Sequence, residues 1–342
     1  MTTWLNAIPT LAAPTVLVTV ASAQGSTPRE AGAKMLVSAD LQFDTIGGGH
    51  LELRACEIAR AMLQNGQRRH LERFALGPGL GQCCGGAVQL LFERIDEIHD
   101  LHRLAERLAA RRDVWRAVPL DADDDALLLD REGRMIGAKT DRAPGFDPDL
   151  PCRLLKDANG KTWLIDPCRA TRNHLVLFGA GHVGAALVRA LAELPCHVTW
   201  VDEREELFPA EVPANVQIEC TDTPQSVAEQ AAPGTSFLVM THSHALDQAL
   251  AETILRRREA GWFGLIGSDT KRAQFERRLR EHGIGEERIR TMVCPIGIPG
   301  IAGKAPAVVA ASVCAQLLQV WEAANSKDAD NAALAKTESE SQ

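Results

Sequence analysis

The sequence predicts an α/β protein in which a C-terminal domain with a Rossmann-like parallel sheet is preceded by a smaller N-terminal domain of mixed α/β structure. From residue 174 onward, short apolar strands alternate with helices, as in a parallel sheet with helices on both faces. A glycine-rich turn at residues 179–184 stands between the first of these strands and the next helix. Before residue 168, short β-rich runs are separated by glycine clusters.

The domain boundaries are placed where the character of the sequence changes. Residues 1–115 form the predicted N-terminal domain, and residues 116–172 form a connector with hairpins, because turn-forming sequences interrupt it repeatedly. Residues 173–322 form the predicted Rossmann-like domain. The polar residues 323–342 are expected to be a disordered tail.

The elements of the N-terminal domain follow from hydrophobic patterns. Strands are predicted at residues 15–21, 34–37 and 88–92. Helical periodicity predicts helices at residues 51–63 and 98–111, since their apolar residues recur on one face.

The elements of the Rossmann-like domain alternate more regularly. Strands are predicted at residues 174–178, 197–201, 216–220, 237–240 and 263–266. After the helix that follows the glycine-rich turn and ends near residue 194, helices are predicted at residues 225–231, 246–258, 269–281 and 306–321.

The composition excludes several classes of function. The 37 basic and 45 acidic residues give a net charge of −8, which argues against a general surface for nucleic acids or anionic membranes. No apolar run approaches the ~20 residues needed to cross a bilayer, so we expect a cytoplasmic protein. Tyrosine is absent, which removes mechanisms with a tyrosine general acid. Most of the nine cysteines are expected to be reduced and buried.

The glycine-rich turn predicts a phosphate-binding site. Gly179 permits a tight turn, Gly181 lets a phosphate approach the backbone, and Gly184 lets helix and strand pack closely. The N-terminus of the following helix supplies unpaired N–H groups. Asp202 ends the next strand, where an acidic residue accepts hydrogen bonds from a ribose, whereas Arg204 would favour an extra phosphate. The turn accepts any phosphorylated ligand, so it does not by itself indicate NAD.

Polar residues follow two of the predicted strands, at the sheet edge where such folds bind ligands. His242 and Ser268 are the candidates for contact with a cofactor or substrate. Ser268 is most simply a helix N-cap, in a position that also faces a ligand. An alternative is a metal site formed by His242, His244 and Asp247.

Two short loops of the N-terminal domain also predict binding. Residues 24–29 follow the first strand, and a second loop with Gly47, Gly48, Gly49 and His50 precedes a helix. Consecutive glycines allow close approach of a ligand, and their N–H groups can form a concave anion site, called a nest. A plain flexible turn is the alternative.

A third loop, residues 77–86, contains two adjacent cysteines. Its candidate binding residues are Gln82, Cys83, Cys84, Gly85 and Gly86. Consecutive side chains of an extended chain point in opposite directions, so adjacent cysteines do not both suit packing. The flanking glycines expose at least one thiol and favour its thiolate, which can carry sulfur, bind a soft metal or act as a nucleophile. Buried thiols or a strained disulfide are the alternative.

Several blocks of this sequence occur together in one known family. They are Ile46-Gly-Gly-Gly-His-Leu-Glu52, the Gln-Cys-Cys-Gly-Gly sequence that ends at Gly86, residues 179–184, Thr241-His-Ser-His-Ala-Leu-Asp247, Phe263-Gly-Leu-Ile-Gly-Ser268 and Pro295-Ile-Gly-Ile298. In these blocks and their order the chain resembles the XdhC/CoxI family, from about residue 14 to residue 318. Many members have a glutamate in the block at residues 303–312, which this chain lacks.

The resemblance implies a chaperone that binds the molybdenum cofactor (molybdopterin), protects it from oxidation and supports the exchange of an oxo ligand for sulfur. It implies two partners: a cysteine desulfurase that donates the sulfur, and the molybdenum subunit of a xanthine dehydrogenase that receives the cofactor. We expect the molybdenum end of the cofactor near Cys83 and Cys84. Cys84 is favoured as the metal ligand because it directly precedes the Gly-Gly pair. The Rossmann loop would hold the same cofactor or a nucleotide.

Two other functions fit the sequence. An NAD(P)-dependent oxidoreductase would use the Rossmann site, with His242 or His244 as the proton donor. A sulfur-transfer enzyme would use Cys84 without storing a cofactor. The carrier hypothesis predicts no turnover by this chain alone, and it is compatible with a homo-oligomer, which no sequence feature decides.

Overall fold

The protein consists of two compact units. The computed structural model describes residues 3–8, 14–77, 85–121, 124–137 and 143–339. The first unit is Met1–Thr171 and the second is Arg172–Gln342. The division falls one residue before the predicted start of the Rossmann-like domain at residue 173.

The first unit contains a five-stranded antiparallel sheet with a long helix on one face. Its elements are α1 (Thr3–Ala7), β1 (Thr15–Gln24), β2 (Lys34–Val37), β3 (Gln42–Asp44), α2 (Gly49–Asn65), β4 (Arg69–Ala75), β5 (Ala87–Ile95) and α3 (His99–Ala109). The strand order is β3-β2-β1-β5-β4. Val16, Val18 and Val20 alternate along β1 and lie in one buried cluster with Leu51 and Ala59 of α2.

A second antiparallel sheet completes the first unit. Its strands are β6 (Val114–Pro119), β7 (Leu127–Leu129), β8 (Arg153–Lys156) and β9 (Thr162–Cys168), in the order β7-β6-β9-β8. The expected connector at residues 116–172 is therefore a structural part of the first unit, and the predicted boundary at residue 115 lies inside β6. The reason is burial: Val118 and Leu164 share a cluster with Ala21 and Leu91 of the first sheet.

Four buried charges join the two sheets. Lys34 Nζ lies 2.7 Å from Asp166 Oδ1, and Arg116 donates to Asp166 Oδ2 at 3.2 Å and to the two oxygens of Glu93 at 2.9 and 3.1 Å. All four side chains are at most 5% exposed. Burial alone would lower the pKa of Lys34 and Arg116, but the adjacent carboxylates raise the pKa of both above the ordinary value. The two cations thus balance two anions inside the unit.

The second unit contains the parallel sheet that the sequence predicts, with the five predicted strands and a sixth, at Met292–Val293, that was not predicted. Its elements are β10 (His174–Phe178), α4 (His182–Ala190), β11 (His197–Asp202), β12 (Val216–Cys220), α5 (Pro224–Gln230), β13 (Ser236–Val239), α6 (His244–Arg256), β14 (Phe263–Leu265), α7 (Asp269–Glu281), α8 (Glu286–Arg290), β15 (Met292–Val293) and α9 (Pro306–Ser339). The strand order is β12-β11-β10-β13-β14-β15, and every pair is parallel.

Helices cover both faces of this sheet. Leu187 of α4 and Leu317 of α9 pack with Trp200 on one face. Leu250 of α6 and Leu279 of α7 pack on the other face. The order of strands brings the ends of β10 and β13 together in the middle of the sheet, where ligands of this fold class bind.

The last helix is longer than the sequence predicts. Where residues 323–342 are expected to be a disordered tail, α9 continues to Ser339. After Pro306 the sequence contains neither glycine nor proline to stop the helix, and it is rich in alanine. The segment Pro306–Asn325 is long and apolar enough to cross a membrane by length and composition alone. One third of it is buried, and Val313 and Trp321 lie in the core of the second unit.

Candidate cofactor-binding sites

The described parts of the three predicted loops of the first unit lie together where β1 ends and β5 begins. A Cβ atom on Gly86 would lie 2.5 Å from the carbonyl oxygens of both Gln24 and Ser26, so only glycine fits there. A Cβ on Gly47 would lie 2.5 Å from Pro28 Cβ. These contacts bring the ends of residues 24–29, 46–50 and 77–86 together.

The described residues reach both ends of the cysteine loop. Leu76 donates its N–H to the Gly86 carbonyl at 2.8 Å, which closes the loop where β4 and β5 begin to pair. Gly85 is exposed, and a Cβ there would meet no atom within 4 Å. Gln82, Cys83 and Cys84 lie outside the described residues, so their assignment to a binding site stays a prediction.

The predicted glycine nest is formed but is filled by the chain itself. Gly47, Gly48 and Gly49 have φ values of 122°, 75° and 65°. The N–H groups of Ile46 and Gly48 both donate to Glu52 Oε2, at 3.1 Å each.

Glu52 also accepts hydrogen bonds from Thr45 and Gln42. Burial would raise the pKa of Glu52, but these hydrogen bonds outweigh it and lower the pKa. The nest is therefore a helix-capping device whose anion is a side chain, and the binding of a ligand by Gly47, Gly48, Gly49 and His50 stays a prediction. His50, in the first turn of α2, is exposed.

The glycine-rich loop of the second unit has the geometry that the sequence predicts. A Cβ on Gly179, whose φ is +119°, would lie 2.3 Å from the Met240 carbonyl oxygen, and a Cβ on Gly184 would lie 2.2 Å from the Gly179 carbonyl oxygen. A Cβ on Gly181 would meet no atom within 4 Å. Gly179 and Gly184 thus serve packing, whereas Gly181 leaves open space at the N-terminus of α4.

Asp202 lies beside this loop but is fully engaged. Its Oδ2 accepts from Ala180 N–H at 2.7 Å and Arg204 Nη2 at 2.9 Å, and its Oδ1 accepts from Arg204 N–H at 3.1 Å and Nε at 2.8 Å. Burial would raise the pKa of Asp202, but the hydrogen bonds from Arg204 and Ala180 lower it. Sequence reasoning found this residue and its position, and missed its partners.

A buried ion pair near the same sheet edge was missed by sequence reasoning. Asp247 is completely buried and accepts hydrogen bonds from the N–H and Oγ1 of Thr241, at 3.1 and 2.7 Å. Lys271 Nζ donates to Asp247 Oδ2 at 2.7 Å and to the Ile266 carbonyl at 2.8 Å. The signal in the sequence was Asp247 one turn into α6, with Lys271 one turn into α7 after the neighbouring strand.

The two predicted contact residues of this edge have different environments. His242 is exposed, with Nε2 3.8 Å from Glu203 Oε1. Ser268 is the N-cap of α7 and accepts from Lys271 N–H at 3.3 Å, as the simpler interpretation predicts. The alternative metal set fails at Asp247, because Thr241 and Lys271 already occupy its oxygens. In the described ranges, no group of three or more His, Cys, Asp or Glu is arranged to hold a metal.

Two family models match the chain. The model described as the XdhC Rossmann domain matches residues 175–317, and the model described as the XdhC and CoxI family matches residues 12–75. This chain belongs to the XdhC and CoxI family. The two matches cover the glycine-rich loop of the second unit and the glycine nest of the first.

Two individual proteins are similar to this chain. The uncharacterized protein YqeB of Escherichia coli (strain K12) is 31% identical over 170 residues, which are 48% of this chain and 30% of that protein. The match thus spans less than one third of the length of this relative. A structure described as a xanthine dehydrogenase from Bacillus halodurans has a TM-score of 0.73 and 22% identity, covering 94% of this chain and 95% of that one. This likeness shows a shared fold.

Proposed function

We infer that this member of the XdhC and CoxI family is a molybdenum-cofactor carrier that serves the maturation of a xanthine-dehydrogenase-type enzyme. In this proposal the chain protects the cofactor, a cysteine desulfurase donates sulfur to it, and the molybdenum subunit of the dehydrogenase receives it. The observation that carries the proposal is that the described parts of three loops lie together where β1 ends and β5 begins, and that one of these loops contains Cys83 and Cys84. Family membership supports it.

Some of the candidate residues fit the molybdenum cofactor and others do not. The cofactor, when bound, supplies a phosphate ester, a pterin with many hydrogen-bonding groups and a metal–dithiolene centre. The nest at Gly47–Gly49 does not fit the phosphate, because Glu52 already fills it. Cys84 would approach the metal, since it is the soft ligand joined directly to the open Gly85. The open loop at Gly181 would hold a phosphorylated ligand, either the cofactor or a nucleotide.

The NAD-dependent oxidoreductase hypothesis is weakened by one observation. It requires Asp202 to accept hydrogen bonds from ribose hydroxyls. The carboxylate already accepts four hydrogen bonds from Ala180 and Arg204. A ribose would have to displace these groups first.

Anaerobic purification of variants tests the carrier proposal. The readout is the amount of pterin and molybdenum that remains bound to wild type, Cys84→Ala and Cys220→Ala. Cys220 is the matched control because it is an exposed cysteine on β12 of the other unit. We expect wild type and Cys220→Ala to retain both, and Cys84→Ala to lose most of the molybdenum. Equal retention by all three would remove Cys84 from the site, and no pterin on any of them would contradict the carrier function.

A further inference from the structure

We propose that Arg204 binds the phosphate of a phosphomonoester at the glycine-rich loop of the second unit, and that Asp202 orients Arg204 instead of binding a ribose. This inference rests on the proposed function to the extent that the loop holds a phosphorylated ligand. It specifies the ligand class: a ligand with a terminal phosphate is selected over one with a free ribose diol.

The acceptor positions of the Asp202 carboxylate are all in use. An ionised carboxylate offers about four acceptor positions. Four donors of the chain fill them, one from Ala180 and three from Arg204, at 2.7 to 3.1 Å. The Asp202 side chain is only 4% exposed. No acceptor position is left over for a ribose diol, which needs acceptors for its two hydroxyl hydrogens.

The Arg204 guanidinium keeps side-chain donors that Asp202 does not use. A guanidinium group has five N–H donors in a planar fork. Two of them point at Asp202, through Nε and Nη2. The other three have no hydrogen-bond partner among the described residues, and the Arg204 side chain is 31% exposed. Three donors of a planar fork match the oxygens of a phosphate.

These donors lie beside the glycine-rich loop of the second unit. Ala180 N and Arg204 Nη2 lie 2.7 and 2.9 Å from the same oxygen atom of Asp202, so the guanidinium is held directly against the glycine-rich loop. At the N-cap of α4, Gly181 contributes no side-chain hydrogen bond, which leaves the first N–H groups of the helix available. The neighbouring acids Glu203 and Glu206, whose charges raise the pKa of Arg204, are exposed, where solvent screens their charge. The groups available to a phosphate here are the remaining donors of Arg204 and the first N–H groups of α4.

Calorimetry with two probes tests the selection. The probes are ADP-ribose and 2′-phospho-ADP-ribose, which differ in a single phosphomonoester. Wild type should bind the phosphorylated probe at least about tenfold more tightly, the size of one charged hydrogen-bond interaction. Arg204→Gln should lose this advantage, whereas Arg277→Gln should retain it. Arg277 is the matched control because it lies on α7 and pairs with Glu281 at the surface.

The same variants distinguish the source of the phosphate. If Arg204→Gln also loses bound pterin, the phosphate is that of the cofactor; if it keeps pterin and loses only the probe, the ligand is a nucleotide. Selection for the phosphorylated probe in a protein that retains no pterin would uphold this inference and contradict the carrier function. ADP-ribose bound as tightly as its phosphorylated form, or probe binding and pterin retention both unchanged in Arg204→Gln, would overturn the inference.

Discussion

The buried charge cluster of the first unit gives the sharpest prediction on stability. Asp166→Asn keeps the shape of the side chain but leaves Lys34 without its carboxylate and Arg116 with Glu93 alone, so one positive charge becomes unbalanced inside the unit. Breaking a buried ion pair in this way costs about 3–5 kcal/mol. For a unit of this size, this corresponds to a decrease in melting temperature of roughly 6–20 °C.

The assay is urea denaturation at pH 7, followed by far-UV circular dichroism. Because the pKa of Lys34 is raised in the folded state, its contribution is fully present below the ordinary value of 10.5 and is lost only as the pH rises above it. The matched control is Glu57→Gln, which removes a surface partner of Arg54 and should cost about 0–1 kcal/mol. If Asp166→Asn lowers the free energy of unfolding by less than about 1 kcal/mol, the prediction is wrong, because solvent then reaches the unpaired charge.

Three further substitutions test other parts of the structure. Glu52→Gln should lower the free energy of unfolding by about 1–3 kcal/mol at pH 7, since it weakens the hydrogen bonds to the nest. Because the pKa of Glu52 is lowered in the folded state, the difference from wild type should vanish as the pH falls well below 4.5. Denaturation at pH 7 and at pH 3 measures this difference. Gly184→Ala should destabilise the second unit by about 1–3 kcal/mol, because the added Cβ has no room. Gly181→Ala should keep the wild-type melting temperature and weaken binding of the phosphorylated probe. Equal melting temperatures for the two variants would contradict this prediction. Lys271→Met should cost about 3–5 kcal/mol in the same assay, because it leaves Asp247 buried without its cation, and a cost near zero would show that the pair is not needed.

The sequence was sufficient for the parallel sheet because each of its signals is local. The strand at 174–178 and the glycines of the turn depend only on neighbours along the chain, and the structure has β10 at the same residues. Hairpins were predicted in the region of the second sheet of the first unit, but the sheet itself was not, because β6 pairs with β9 about 50 residues later and most of its strands are short. Pairing between distant short strands leaves no periodicity in the sequence.

In the candidate sites the backbone conformations were predictable, whereas the hydrogen-bond partners of the carboxylates were not. The conformations of Gly179 and Gly184 follow from their context, and the structure reproduces the packing expected of them. The partners of Glu52 and Asp202 lie close to them in sequence, but residue types alone do not tell whether a carboxylate accepts hydrogen bonds from its own chain or from a ligand. Acidic residues beside glycine loops were interpreted as parts of a ligand site, and the hydrogen bonds show that the chain itself uses them.

Whether this chain binds the molybdenum cofactor is decided by a measurement of binding stoichiometry. The wild-type protein would be incubated without oxygen with isolated molybdenum cofactor, separated from free cofactor by gel filtration, and analysed for pterin by fluorescence after oxidation and for molybdenum by mass spectrometry. We expect about one pterin and one molybdenum for each chain that is competent to bind. A protein fraction free of pterin and molybdenum, at a cofactor concentration that loads an apo dehydrogenase in parallel, would contradict it.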